Sequence, residues 1–250
     1  MGWITGPLAA FDLETTGTDV ETDRIVTAAV VRLEPDGAVS AERTWLLDPG
    51  VVIPEQASAI HGISTDHARE HGASASSAIE DITQTVADAL SSGTPLVVMN
   101  ARYDLSLLDR ECRRYGLQSV GERLGIVPSP VIDPLVIDKY VDRYRKGTRA
   151  LHALCAHYGV SLEEAHDARA DAVAAARVVQ RMAEKHRLVG TMSLADLHDL
   201  QVRAAAAQSA SLQAYLRRST NPTAVVESAW PVIPRPAGVR GQGGGTAARR

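Results

Sequence analysis

The segment FDLETTG, residues 11–17, places Asp12 and Glu14 at alternate positions directly after the apolar lead-in PLAA. Side chains of an extended chain alternate between faces, so the two carboxylates point one way and Leu13 the other. Adjacent carboxylates repel one another and lose hydration on burial, a cost that protons or bound cations must offset. The pattern therefore predicts either a solvated edge or a cation site, and the apolar lead-in argues for the site. Further along, Asp104 falls where the apolar run VVMN gives way to helix-forming residues, and His166 and Asp171 lie in HDARADAVAAARV. Five residues of helix rotate by about 500°, which would hold His166 and Asp171 apart on one continuous helix. Placing His166 on a loop ahead of the first turn brings both within reach of one site.

The elements that must position these residues follow from periodicity. The lead-in with FDLE forms a first strand, RIVTAAVVRLE a second and AVSAERTWLLD a third, with PDG at 35–37 as the hairpin turn. Ile79, Ile82, Val86 and Leu90 recur at helical spacing in the second half of 64–91. TPLVVMN reads as a central strand and SPVIDPLVID as another, broken near Pro134. A helix is expected from Tyr103 to Tyr115, ended by Gly116, and two more over roughly 148–158 and 167–187. These elements predict an α/β fold: a mixed five-stranded sheet, three antiparallel strands followed by parallel ones, flanked by helices. A further helix at 193–218 carries Leu194, Leu197, Leu212, Tyr215 and Leu216 on its apolar face, with Trp230 pinning the segment that follows. The expected division is a main domain over 7–187, a helical extension over 188–220 and a largely disordered Pro/Gly-rich tail over 221–250.

Taken in order, the three acidic segments resemble the three motifs of the DnaQ-like 3′–5′ exonucleases of the DEDDh branch, the DNA polymerase III epsilon-subunit type. Asp12 and Glu14 match the first motif, Asp104 the second, and His166 with Asp171 the third, while IHGIS at 60–64 resembles a His-Gly segment between the first two. The resemblance spans roughly residues 7–185, and three ordered motifs are far more specific than any one. Two positions depart from the family pattern: Met99 stands where a histidine is common, and IVTAAVV lacks the usual acid. Neither touches the five matched residues.

The resemblance implies a ribonuclease H-like fold and a metal-dependent 3′–5′ exonuclease that releases nucleoside 5′-monophosphates from single-stranded DNA ends. It implies that Asp12, Glu14, Asp104 and Asp171 hold two divalent cations, Mg²⁺ or Mn²⁺. His166 is the implied general base, since an ordinary imidazole accepts a proton near neutral pH. The backbone amides of Thr15 and Thr16 are expected at the terminal nucleotide, with Leu13, His61 and Asn100 lining the pocket or supporting the ligands. RNA is a possible substrate, and proofreading would need a polymerase partner because the 250 residues hold no polymerase domain. An oligoribonuclease-type enzyme shares this site, but ETTG resembles the DNA-acting branch better. A non-catalytic binding module is disfavoured by the intact set of five.

Composition agrees with a cytoplasmic protein. No signal peptide, myristoylation motif or bilayer-length apolar run is present, so no membrane partner is expected. Aromatic residues make up 4% of the chain, so the core must be largely aliphatic. Cys112 and Cys155 are too few for a paired-cysteine zinc site or a disulfide framework. The chain contains no G-x-S-x-G elbow, and neither cysteine has a nucleophile-like context. His152 and His157 read as packing or surface. The net charge of −4 counts against a duplex binder with many phosphate contacts, but not against an enzyme whose site gathers carboxylates for metal. Asp133 stands open between a supporting group and a turn-former before Pro134, and DRYRKGTR at 142–149 between a solvated loop and a phosphate contact.

Overall fold

The structure, a computed structural model, describes residues 3–162 and 165–235. The first three strands, β1 (Leu8–Thr15), β2 (Ile25–Leu33) and β3 (Val39–Asp48), form the expected antiparallel meander. Two short helices, α1 (Glu55–His61) and α2 (Thr65–His71), lead to the two-residue β4 (Ala73–Ser74) and the long α3 (Ala75–Ser91). Then β5 (Leu96–Val97), α4 (Ala101–Arg114), α5 (Val120–Leu124), β6 (Val131–Ile132) and α6 (Pro134–Val141) alternate. The remaining helices are α7 (Leu151–Tyr158), α8 (Ala168–Lys185), α9 (Arg187–Thr191) and α10 (Leu194–Ser219).

The sheet runs β4-β3-β2-β1-β5-β6, six strands rather than five. The additional strand is β4, too short to show any alternation in sequence; it pairs parallel with the end of β3. A second correction concerns SPVIDPLVID, whose strand ends at Ile132. Asp133 caps a helix by accepting from the Leu135 and Val136 amides, and Pro134 takes the first helical position, where its missing N–H costs nothing.

Each face of the sheet carries its own core. Ala9, Phe11 and Leu13 of β1 pack with α3 and α4, while Leu8 and Ala10 pack with α7 and α8. The buried face of α8 is built from Ala172, Ala174, Ala175 and Ala176 around Val173, Val178 and Val179. Such small side chains let a helix approach the strands closely, and β1 meets it with Ala10 and β2 with Ala29. Along α10 the buried residues are Leu197, Leu200, Gln201, Ala204 and Ala205. Leu212 and Tyr215, expected on the apolar face, are instead 48% and 57% exposed. Beyond α10 the chain folds back over the domain: Trp230 is buried, and the Ile233 amide donates to Ser106 Oγ at 2.8 Å. From residue 236 onward the segment expected to be disordered lies outside the described residues. No described helix is long and apolar enough to cross a membrane.

Candidate active site

Three elements deliver the acidic residues to the carboxyl end of β1. Asp12 and Glu14 leave β1 on one face; α4 supplies Asp104 from its first turn, and α8 supplies Asp171 from its own first turn. Because β1 and β5 run parallel, this is the edge at which the α4 connection leaves the sheet, the usual crevice of open α/β folds. His166 lies ahead of α8, exposed, with φ at +69°, and its amide donates to Asp171 Oδ2 at 3.4 Å. The loop placement inferred from the five-residue separation is therefore the one observed. Ligand atoms of Glu14, His166 and Asp171 lie within 4.8 Å of one another.

The electrostatics are those of mutually repelling carboxyls. Burial, then the charges of Asp104, Asp171, Glu14 and Asp167, hold the Asp12 carboxyl well above the usual range. Asp104 is pushed up mainly by its own burial, with Asp133 and Glu14 adding to it and the Leu13 amide opposing. Glu14 is pushed up to about 8 by burial and by Asp171 and Asp167. Burial likewise raises Asp171, countered by the His166 amide and imidazole. None of the strongest influences on these four carboxyls is a lysine or arginine. Asp171 Oδ1 is enclosed and has no hydrogen-bond partner among the described residues. A set of clustered hard oxygens, one of them orphaned, is what a divalent cation requires.

The supporting residues divide. The Leu13 side chain is buried in the opposite core, so its contribution is the amide beside Asp104. His61 ends α1 close to the Thr15 backbone; its Nδ1 accepts from the Ile63 amide at 3.1 Å, and Nε2 is enclosed without a well-formed hydrogen bond. Asn100 is exposed, in the left-handed region, and begins α4. The Thr16 amide donates to the Arg24 carbonyl at 3.0 Å and its hydroxyl to Asp23 at 2.8 Å, so Thr16 is engaged by the sheet edge and its loop. A Cβ added at Gly17 would meet the Asp23 carboxylate at 2.6 Å, so that side chain, held by Thr16 and the Asp19 amide, would have to shift.

Two residues that sequence reasoning did not assign organise this edge. The Tyr103 hydroxyl bonds Thr15 Oγ1 at 2.8 Å and the Gly17 carbonyl, tying the turn after β1 to α4. Asp133 is a clamp as well as a cap. It accepts from the Asn100 amide at 3.1 Å, the Ala101 amide at 3.0 Å and Trp230 Nε1 at 3.3 Å, while its own amide donates to Gln201 of α10. The Asp-Pro dipeptide is a helix-start signal that could have revealed the cap. The clamp depends on residues distant in sequence.

The mixed sheet and the acidic crevice at its carboxyl edge define a ribonuclease H-like nuclease fold. The chain belongs to the exonuclease family of RNase_T type, the DnaQ-like exonucleases, whose family pattern matches residues 9–179. It is 30% identical over 190 residues to a PolC-type DNA polymerase III of Lacticaseibacillus paracasei, a match covering 76% of this chain and 12% of that protein. A PolC-type polymerase of Streptococcus suis is 28% identical, over 74% of this chain and 12% of its own length. The chain thus spans about an eighth of these curated relatives. Among solved structures, exonuclease I of E. coli in complex with a dA16 oligonucleotide superposes with a TM-score of 0.63 at 19% identity, covering 78% of this chain and 42% of that one. Exonuclease I of Methylocaldum szegediense gives 0.60 at 22%, covering 84% and 46%. At those identities the structural likeness is one of fold.

Proposed function

We propose that this exonuclease removes nucleotides from the 3′ ends of single-stranded DNA, releasing nucleoside 5′-monophosphates in a metal-dependent hydrolysis. The observation that carries the reading is the convergence of Asp12, Glu14, Asp104 and Asp171 with no lysine or arginine among the strongest influences on them, and with Asp171 Oδ1 orphaned among the described residues. These four carboxylates would hold two divalent cations, Mg²⁺ or Mn²⁺. Cations so placed lower the pKa of an attacking water and offset charge on the departing oxygen.

His166 is assigned as the general base. Its loop brings the imidazole to the solvent side of Glu14 and Asp171, where it accepts a proton as water attacks the terminal phosphorus. The phosphorus–O3′ bond breaks, O3′ takes a proton from solvent, and the 5′-monophosphate leaves. His61, beside the Thr15 backbone, and Asn100, at the start of α4, border the space for the terminal nucleotide. Relatives named as DNA polymerases support DNA as substrate and a polymerase as partner; a repair partner is the alternative. Two reduced, buried cysteines suit a cytoplasmic location.

The test is digestion of 5′-labelled single-stranded DNA and RNA of equal sequence with Mg²⁺ or Mn²⁺, with Asp12→Ala as control. A ladder shortening from the 3′ end of DNA, absent in the variant, is expected. A ladder on short RNA alone would move the substrate to RNA, and no metal-dependent shortening of either would overturn the proposal.

A further inference from the structure

A second concave feature lies beside the acidic crevice and carries the opposite charge. Between α6 and α10 is a cleft of about 930 Å³, and a hollow of about 540 Å³ shares Asn100, Leu135, Lys139 and Arg149 with it. The hollow reaches Met99 and Asn100, immediately before the helix that carries Asp104, so the run begins at the proposed site. Five cations line the cleft: Arg102, Lys139, Arg143, Arg149 and Arg203. Asp133 is its one lining carboxylate, and that group is occupied by amide and indole donors. In a chain of net charge −4, this is a local reversal of sign.

The cations are not there to satisfy one another's partners. Arg149 is committed to Asp138, and Arg102 donates to Ser209 Oγ at 3.0 Å with Glu227 near it. Lys139, Arg143 and Arg203 make no ion pair among the described residues, and Arg143 lies over the Tyr144 ring. Burial depresses the Lys139 ammonium, Asp133 and Asp138 oppose the shift and Arg149 and Arg102 add to it; the net depression is a cost that a bound anion would relieve. Two lining aromatics, Tyr140 and Tyr215, are 47% and 57% exposed and offer faces for stacking. Cations for phosphates interleaved with rings for bases is the composition of a single-strand groove. Arg203 and Tyr215 come from α10, beyond the family match at 9–179.

We infer that the cleft between α6 and α10 holds the single strand upstream of its terminal nucleotide, with Lys139, Arg143 and Arg203 on its phosphates and Tyr140 and Tyr215 against its bases. The inference rests on the proposed exonuclease reading and deepens it. It explains the exposed Leu212 and Tyr215 on a helix otherwise packed on the domain.

The experiment uses the full chain with Ca²⁺ in place of Mg²⁺, so that strands bind with little cleavage. Fluorescence anisotropy compares a labelled oligothymidylate of about twelve nucleotides, within the span such grooves take, with a labelled thymidine dinucleotide. Lys139→Gln and Arg203→Gln should each weaken the longer strand by about threefold to tenfold and lower the slope of log affinity against log salt by about 0.7. Tyr215→Ala should weaken the longer strand and leave the slope unchanged, as a stacking contact requires. Dinucleotide affinity should move by less than about twofold, since it occupies only the site. Melting curves matching wild type exclude misfolding as the cause. Unchanged affinity and slope for the longer strand, as for a cleft built for an acidic peptide, would overturn the inference, and so would equal weakening of both probes. Should the wild type shorten no strand with Mg²⁺, the activity fails while the anisotropy still reads the cleft; should it shorten strands that the variants bind normally, the cleft alone fails.

Discussion

Asp138 is a buried acid and the group around Asp12 is buried at Asp104 and half-buried at Asp12, Glu14 and Asp171, yet their surroundings differ completely. Asp138 is fully enclosed, but Arg145 reaches it at 2.9 Å, Arg149 pairs with the same oxygen, and the Tyr158 hydroxyl donates to the other at 2.9 Å. Burial alone would raise its carboxyl; Arg145, Tyr158 and Arg149 overcome that and bring it below the usual range. Asp12, Glu14, Asp104 and Asp171 receive no such partners, and all four are raised. One acid is neutralised by cations of the fold, whereas the other four repel one another, as the proposed metal ligands should. The contrast is the one expected between a structural carboxylate and the proposed ligands, and it needs no relative.

The largest effect that can break this contrast is on turnover. Asp12→Ala or Asp104→Ala should lower the rate of strand shortening by about 10³-fold or more, the loss of several kcal/mol of charge stabilisation. Neither should lower the melting temperature measured with chelator, because each removes a repelled carboxylate. Asp138→Ala should do the reverse, leaving two guanidinium groups without their buried partner. A loss of about 3 kcal/mol in denaturant unfolding is expected, with turnover per folded molecule nearly unchanged. A stability loss at Asp12 equal to that at Asp138 would erase the distinction.

His166→Ala sharpens the account within the site. A missing general base lowers turnover by about 10²–10⁴-fold, while Mn²⁺ affinity read by titration calorimetry should stay near wild type. Equal loss of metal affinity would make His166 a ligand, as its place beside Glu14 and Asp171 also allows.

The two regions also predict opposite responses to pH. Glu14 has a folded value near 8 against an ordinary 4.5, so the metal-free native state holds the extra proton between those limits. Its contribution to stability is present at the acid end and lost as pH rises through about 8. Asp138 is depressed, so its contribution is present above its unfolded value of about 3.8 and lost as pH falls below it. Melting temperature with chelator should therefore decline from about pH 5 to pH 8, and Mg²⁺ should flatten the decline. A chelated protein that grows more stable across that window would contradict the assignment. The smallest effect is expected from Tyr103→Phe. Loss of its bonds to Thr15 and Gly17 should cost about 1 kcal/mol, read in denaturant unfolding, with turnover reduced a few-fold.

Legibility from sequence followed the range of the interactions involved. Asp12 and Glu14 stood out because strand alternation is local, and the separation of His166 from Asp171 was enough to require a loop. The antiparallel meander was readable for the same reason. In VIDPLVID the strand and its break near Pro134 were readable, but the half after the break is helix, because a short apolar run suits either element although Asp-Pro marks a helix start. The Asp138 cluster was hidden: its arginines follow seven and eleven residues later, in a run that resembled a solvated loop. The exposed Leu212 and Tyr215 were invisible for another reason, since periodicity shows that a face is apolar and not whether the domain covers it.

The most direct measurement of the central claim is titration of Mn²⁺ into the full chain, followed by calorimetry, for the wild type and for Asp12→Ala, Asp104→Ala and Asp138→Asn. The account predicts two ions per chain in the wild type and in Asp138→Asn, and loss of tight binding in the Asp12 and Asp104 variants. Wild-type stoichiometry and affinity retained in Asp12→Ala and Asp104→Ala would show that the raised carboxylates are not metal ligands and would contradict the account.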